Sequence, residues 1–229
     1  MSQTLDITTL VEGYVAGCFP MADSRHGNIA WYRPCDRAIL PLDRFHVPRR
    51  LAKLVRSGRY RVSVNEAFDD VIACCAAPRR ECAAEEEEPD DAGETWINDE
   101  IRRAYGELHR EGLAVSVEAW LNAADVEAEG GVPAGPSGPI EPVRRRGEVL
   151  AGGVYAVTLG RAVFAESMFA RYRDASKVCL FRLVELCRRA GVTLLDVQMD
   201  SPHLRRFGAE PIEHGAFMVK LEEALGLGV

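Results

Sequence analysis

An α+β fold, a mixed sheet with helices on its faces, is what this sequence predicts, and three features carry that expectation. Leu113 to Leu121 and Val149 to Leu159 are long apolar stretches that read as the strands of a hairpin, with Ala162-Val163-Phe164-Ala165 as the return of the second. The clearest amphipathic helix, Asp174 to Ala190, comes next and stops before Gly191, a residue suited to the position past a helix end. A further buried strand, Thr193 to Val197, then follows, so helix and strands belong to one layered unit. With 229 residues, 47% of them hydrophobic, the chain can bury a sizeable core, as one large domain or an ordinary one with an appendage.

The remaining elements follow from periodicity and capping chemistry. Thr9 is placed to cap a helix through Val15 that Gly17 ends before Pro20, and Ile29 to Arg33 and Ala38 to Leu40 read as strands around Pro34 and Asp36. Pro48 suits the first turn of a basic helix with Leu51, Leu54 and Val55 inward. Tyr60 to Val64 alternates as a strand, and Asn65 is placed to cap a helix carrying Phe68, Val71, Ile72 and Cys75 on one face. Asn98 caps a further helix, with Ile101, Ala104, Tyr105 and Leu108 inward and Gly112 as its stop. Asn122 to Glu148, rich in Gly, Pro and Ala, reads as a loop too polar and broken to pack. Phe217 to Leu225 is the last amphipathic helix.

Composition excludes several classes. The seven cysteines include no C-x-x-C pair and the five histidines are scattered, so neither a disulfide scaffold nor a metal site is expected. No stretch approaches the roughly 18 apolar residues of a membrane span, and the start lacks a basic, apolar leader; a soluble, cytoplasmic protein without membrane contact is expected. No coiled-coil pattern or long apolar edge is visible, so a monomer is expected. The formal charge of −7 argues against a nucleic-acid partner only on average, because the charge is segregated. Residues 81 to 94 hold eight acidic residues and no basic one, whereas 43 to 61 hold Arg44, Arg49, Arg50, Lys53, Arg56, Arg59 and Arg61 against Asp43 alone. The second segment is either an electrostatic footprint for phosphates or a solvated helix face.

Two runs place polar chemistry at the ends of apolar elements. Glu166-Ser167-Met168-Phe169 leaves the return strand at a sheet edge, and Leu195-Asp196-Val197-Gln198 closes the later one. Asp196 and Gln198 are two apart in an extended segment, so their side chains emerge on one face and can meet a common reactant. An aspartate ending an apolar strand needs partners: it can orient Gln198, accept a proton, or bond the Ser201-Pro202-His203 turn. Neither Ser167 nor Ser176 has an adjacent His, which argues against a covalent acyl-enzyme.

These runs belong to a longer series: Gly13-Tyr14 with Gly17 and Phe19-Pro20, Trp31-Tyr32 with Pro34 and Arg37-Ala38, Phe45-His46 with Arg49, and Tyr60-Arg61-Val62 through Ala67-Phe68. Thr95-Trp96-Ile97, Ala104-Tyr105, Leu108-His109, Ser116-Val117-Glu118 with Trp120, Gly152-Gly153-Val154-Tyr155, Ala175-Ser176-Lys177, and His203 with Gly208-Ala209 complete it. In this order, from about Leu10 to Phe217, the series resembles the leucyl/phenylalanyl-tRNA–protein transferase family. The resemblance implies a small N-terminal domain over about 1–36 and a domain like the acyl-CoA N-acetyltransferases over 37–229, with loop insertions at about 79–94 and 122–148. It implies transfer of Leu, also Phe or Met, from aminoacyl-tRNA to proteins beginning with Arg or Lys, which marks them for N-degron proteolysis, with no cofactor and no metal.

On that resemblance Asp196 and Gln198 are catalytic, Asp196 receiving or steering a proton and Gln198 holding the amine or carbonyl. Glu166 pairs with the cationic acceptor residue. Met168, Val154, Phe181 and Leu195 line the aminoacyl pocket, where soft methionine sulfur suits both Leu and Phe, although each also reads as plain core. Trp96 either stacks on the terminal adenine or staples the helix that follows it. Met21 stands where some relatives carry Trp, at a pocket wall, and Arg49, Arg50 and Lys53 bind tRNA phosphates. The sequence departs from the family's usual pattern at Val115, Ala156 and His214. The rival on the same fold, an acetyl-CoA-dependent N-acetyltransferase, needs an Arg/Gln-x-x-Gly-x-Gly/Ala pyrophosphate loop before the Asp174 helix, where this chain has Met168 to Arg173. A non-catalytic binder of tRNA or N-terminal residues would not require Glu166, Asp196 and Gln198 together.

Overall fold

Apolar alternation in the middle of the chain builds the sheet that everything else rests on. In the structure, a computed structural model, residues 5–77, 95–128 and 143–227 are described. The N-terminal helix α1 (Ile7–Val15) is followed by a two-stranded antiparallel sheet of β1 (Phe19–Ala22) and β2 (Ile29–Tyr32). Then come β3 (Asp36–Ile39), α2 (Arg49–Ser57), β4 (Arg61–Val64), α3 (Phe68–Cys75), α4 (Asp99–Arg110), β5 (Ala114–Asn122) and α5 (Ala123–Ala128). The rest of the chain forms β6 (Arg144–Arg145), β7 (Glu148–Leu159), β8 (Ala162–Ala170), α6 (Ala175–Ala190), β9 (Leu194–Gln198), α7 (Pro202–Arg205), β10 (Glu210–Glu213) and α8 (His214–Leu225). The large sheet runs β10-β3-β9-β8-β7-β5-β4, with β6 beside β7. Its pairs are antiparallel except β8 and β9, which α6 joins as a parallel crossover.

Each face of this sheet buries a separate core. On the first, α1, α3, α4 and α8 bring Leu10, Tyr14, Phe68, Ile72, Ile101, Tyr105, Phe217 and Leu221 onto Tyr155, Val157 and Phe164. On the second, α6 and α2 bring Val178, Leu180, Leu183, Val184 and Leu51 onto Val117, Val154, Ala156 and Leu195. Gly152 and Gly153 allow both layers to press close: a Cβ on Gly152 would sit 2.7 Å from the Ala175 Cβ, and one on Gly153 2.8 Å from Val71.

Several local expectations change. Asp6, not Thr9, caps α1, its carboxylate accepting from the Thr9 N–H at 2.8 Å, because the helix starts a turn earlier than the apolar face suggests. Phe19 to Ala22 forms a strand despite Pro20, as an edge where a missing N–H is tolerated. Asn65 does not cap α3. It adopts a left-handed conformation (φ 60°), exchanges hydrogen bonds with the Ser116 backbone and so extends the β4–β5 pairing. Asn98 does cap α4, accepting from the Ile101 N–H, and Gly112 is left-handed beyond it. The 122–148 stretch is not all loop: α5 buries Val126, and β6 pairs with β7. Residues 129–142 of that stretch, and the acidic insertion expected at 79–94, lie outside the described residues.

Candidate active site

The position of Glu166 follows from a β-bulge. Tyr155 pairs with Ser167 and Ala156 with Ala165, so Glu166 is the extra residue of β8 and has no partner across the ladder. The strand continues to Ala170 between β9 and β7, so Glu166 lies within a central strand rather than at the expected sheet edge. The bulge turns both Glu166 and Ser167 toward the first face and sends Met168 to the second. On β9, alternation puts Leu195 and Val197 on the second face and Asp196 and Gln198 on the first.

These placements bring three predicted residues together. The Gln198 Nε2 donates to Glu166 Oε2 at 2.7 Å, and the Asp196 Oδ1 accepts from the Gln198 backbone N–H at 2.7 Å. Gln198 is left-handed (φ 64°), and this turn leads its side chain back to Glu166. The Tyr105 hydroxyl donates to Glu166 Oε2 at 3.2 Å and lies 2.5 Å from the Tyr14 hydroxyl. Arg37 grips the Asp196 carboxylate, its Nε 3.0 Å from both oxygens and its Nη2 2.5 Å from Oδ2. Lys177, near in sequence, pairs with Asp174. The Ser201 turn is capped by its own hydroxyl, not by Asp196.

Burial acts on both carboxyl groups. Burial raises Glu166 to about 7, opposed by the nearby Tyr14 hydroxyl and the Gln198 amide. Its Oε1 is buried without a hydrogen-bond partner among the described residues, as is the Tyr155 hydroxyl. Burial also raises Asp196, and the Arg37 guanidinium pulls against that rise. Tyr14, Tyr105 and Tyr155 are pushed well up, chiefly by burial, and so remain neutral hydrogen-bonding groups. Asp196 is wholly sealed, whereas Gln198 and Glu166 keep 6% and 8% of their surface, so only the latter two can touch a reactant.

The four residues expected to line the aminoacyl pocket gather on one face of the sheet. Met168, Val154, Phe181 and Leu195 all pack on the second face, against α6 or the layer beneath it, and are separated by the sheet from Glu166. The reason is register: Leu195 neighbours Asp196 in an alternating strand, and the bulge reverses Met168. Trp96 and Met21 pack on the first face, where the Ala22 N–H donates to the Trp96 carbonyl. Of the basic residues, Arg50 and Lys53 line an open cleft of about 530 Å³ with Arg59, Arg173 and Tyr172, beside the turn that joins β8 to α6. Arg49 is exposed on the same helix but does not line it. Among the described residues no group of His, Cys, Asp and Glu is placed to hold a metal ion, and no helix is long and apolar enough to cross a membrane.

Sequence reasoning gave Arg37, Tyr14 and Tyr105 no chemical role. A signal existed for Arg37, an arginine in a strand whose neighbours Ala38 and Ile39 are core, since a buried guanidinium requires a carboxylate. The tyrosines carried none, because an inward tyrosine reads as core until its hydroxyl partner is known.

Comparison with known proteins fits this arrangement. The chain is similar to the leucyl/phenylalanyl-tRNA–protein transferase of Rubrobacter xylanophilus, 45% identical over 95% of this chain and 94% of that one. It is 40% identical to that of Chlorobaculum parvum, over 96% of each. Among solved structures it resembles FemX, with a TM-score of 0.53 and 12% identity over 80% of this chain; it spans 60% of that chain, and the likeness supports the expected N-acetyltransferase-like fold. Residues 39–135 and 142–222 match the leucyl/phenylalanyl-tRNA protein transferase profile and residues 3–35 its N-terminal domain, and the protein therefore belongs to this family.

Proposed function

We propose that this protein transfers Leu, and also Phe and Met, from aminoacyl-tRNA to the α-amino group of proteins beginning with Arg or Lys. The observation that carries the reading is the Asp196–Gln198–Glu166 chain on one sheet face, within a sequence that matches this family almost throughout. The ester joining an amino acid to the tRNA 3′ end is already activated. The amine nitrogen bonds to the ester carbonyl carbon, the carbon–oxygen bond to the ribose breaks, and the proton lost by the amine is balanced by one taken up at the ribose oxygen. The protein must supply proximity and an acceptor for an N–H of an amine with a pKa of about 8. Gln198, whose Nε2 is committed to Glu166, offers its amide Oε1 to that N–H. Asp196, sealed and paired with Arg37, acts by orienting Gln198. Glu166, which keeps part of its surface exposed, is the carboxylate that pairs with the cationic side chain of the substrate protein. Trp96 and Met21, on the same face, border the adenosine and aminoacyl groups.

Transfer of labelled leucine from Leu-tRNA to peptides that differ only in beginning with Arg, Lys, Asp or Ala tests this reading, with acetyl-CoA as control donor. Labelling confined to the Arg and Lys peptides is expected. Labelling of the Asp peptide would overturn the acceptor assignment, and acetyl transfer the donor assignment.

The basic cleft by α2 suits the tRNA backbone. Affinity for Leu-tRNA should fall as salt rises, and replacing Arg49, Arg50 and Lys53 by Ala should flatten the log–log slope by roughly 0.7–0.9 for each phosphate no longer neutralised. An unchanged slope would move the tRNA footprint elsewhere.

A further inference from the structure

Arg37 is a fully enclosed cation beside the site, and its setting is built from three elements and a turn. Besides gripping Asp196 on β9, its Nη1 donates to the Gly17 carbonyl between α1 and β1 at 3.3 Å. Its guanidinium lies 4.5 Å from the centre of the Phe19 ring on β1 and 4.8 Å from that of Phe217 on α8. Aromatic faces above a guanidinium hold its plane while leaving the in-plane N–H groups directed at acceptors. Fully buried, Arg37 cannot touch either substrate.

What it touches matters for the exposed end of the site. Asp196 uses Oδ1 to hold the Gln198 N–H, the bond that fixes the left-handed turn, and Gln198 in turn holds Glu166. A rotated Asp196 would lose that backbone bond and release the turn. We infer that Arg37 is a positioning residue for the transfer reaction: it keeps Asp196 ionised and aligned, so that the Gln198 amide and Glu166 stay in register with the substrates. This inference rests on reading Asp196, Gln198 and Glu166 as the transfer site. It also assigns a task to the N-terminal part of the chain, since Gly17 and Phe19 hold Arg37 in place. Lysine would keep the charge but not the two-point grip that sets the carboxylate plane.

The test compares wild-type protein with Arg37→Gln and Arg37→Lys, measuring kcat, the KM for Leu-tRNA and the pH profile of leucine transfer per folded molecule. Arg37→Gln should lower kcat by about 100-fold, the scale of a small misplacement transmitted to reacting groups, with the KM changed less than about threefold. Its acid limb should move up by about one pH unit or more, because Asp196 without its cation holds a proton longer. Arg37→Lys should recover most of the acid limb but only part of kcat. A folded Arg37→Gln with wild-type kcat and pH profile would overturn the inference. So would a loss that merely tracks the folded fraction while the profile stays put, since that marks a structural role. If Arg37→Gln does not fold, Arg37→Lys decides alone, and a wild-type kcat in it overturns the inference. Absence of transfer by the wild-type protein would instead sink the reading of the site itself.

Discussion

Asp196→Asn is expected to lower kcat for leucine transfer by on the order of 100-fold or more, the scale for misplaced reacting groups, while the Kd for Leu-tRNA stays within about threefold. Asparagine preserves the shape of the side chain and an oxygen for the Gln198 N–H. It removes the charge that faces Arg37, and the chain of interactions from Arg37 through Gln198 to Glu166 loses its electrostatic centre. Stability must be read in the same experiment, because unpairing a buried ion costs on the order of 3–5 kcal/mol. Asp196→Ala, which also opens a void, should be the more destabilised of the two. Calorimetric unfolding at pH 7 and filter binding of Leu-tRNA separate the outcomes. A loss of tRNA affinity equal to the loss of rate would show that Asp196 maintains the fold rather than the reaction geometry.

Glu166→Gln should have the second largest effect, and its sign depends on pH. A carboxyl that titrates at about 7 when folded, against 4.5 as its ordinary value, keeps its proton over a range where the unfolded chain has already released it. The unfolded state then binds fewer protons, so the stability linked to Glu166 is fully present below about 4.5, falls as pH rises, and is gone above about 7. Glutamine resembles the neutral acid at every pH. The variant should match wild type near pH 4 and exceed it at pH 8 by up to about 3 kcal/mol, from 1.36 kcal/mol per pKa unit. Urea unfolding at the two pH values checks this, and a pH-independent difference would contradict the burial argument. Function should move the other way: the variant should lose its preference for Arg and Lys peptides over Ala. A cationic acceptor placed by Glu166 favours the ionised form, so Arg-peptide binding to wild type near pH 7 should release a proton. That release is visible as a dependence of the calorimetric heat on buffer ionisation, and it should vanish in Glu166→Gln.

Much of the scaffold was legible because its signals are local. The Asn98 cap, the Gly112 and Gly191 helix ends and the inward faces of α4 and α6 involve residues within a turn or two of one another. The failures were local too where two polar residues competed, as with Asp6 and Thr9, or where Asn65 satisfied a strand across the sheet rather than a helix beside it.

By itself the sequence determined the α+β class, the hairpin of β5 and β7, the shared face of Asp196 and Gln198, and a series of motifs specific enough to indicate a family. Only the tertiary structure decided who partners whom. Arg37 meets Asp196 across 159 positions of chain, and Tyr14 meets Tyr105 across 91. Which face Glu166 and Met168 occupy turned on one extra residue in β8, which reverses every side chain beyond it. Periodicity and capping are properties of neighbouring residues, whereas a buried charge takes whichever partner long-range packing delivers, and that choice exists only once the chain has closed on itself.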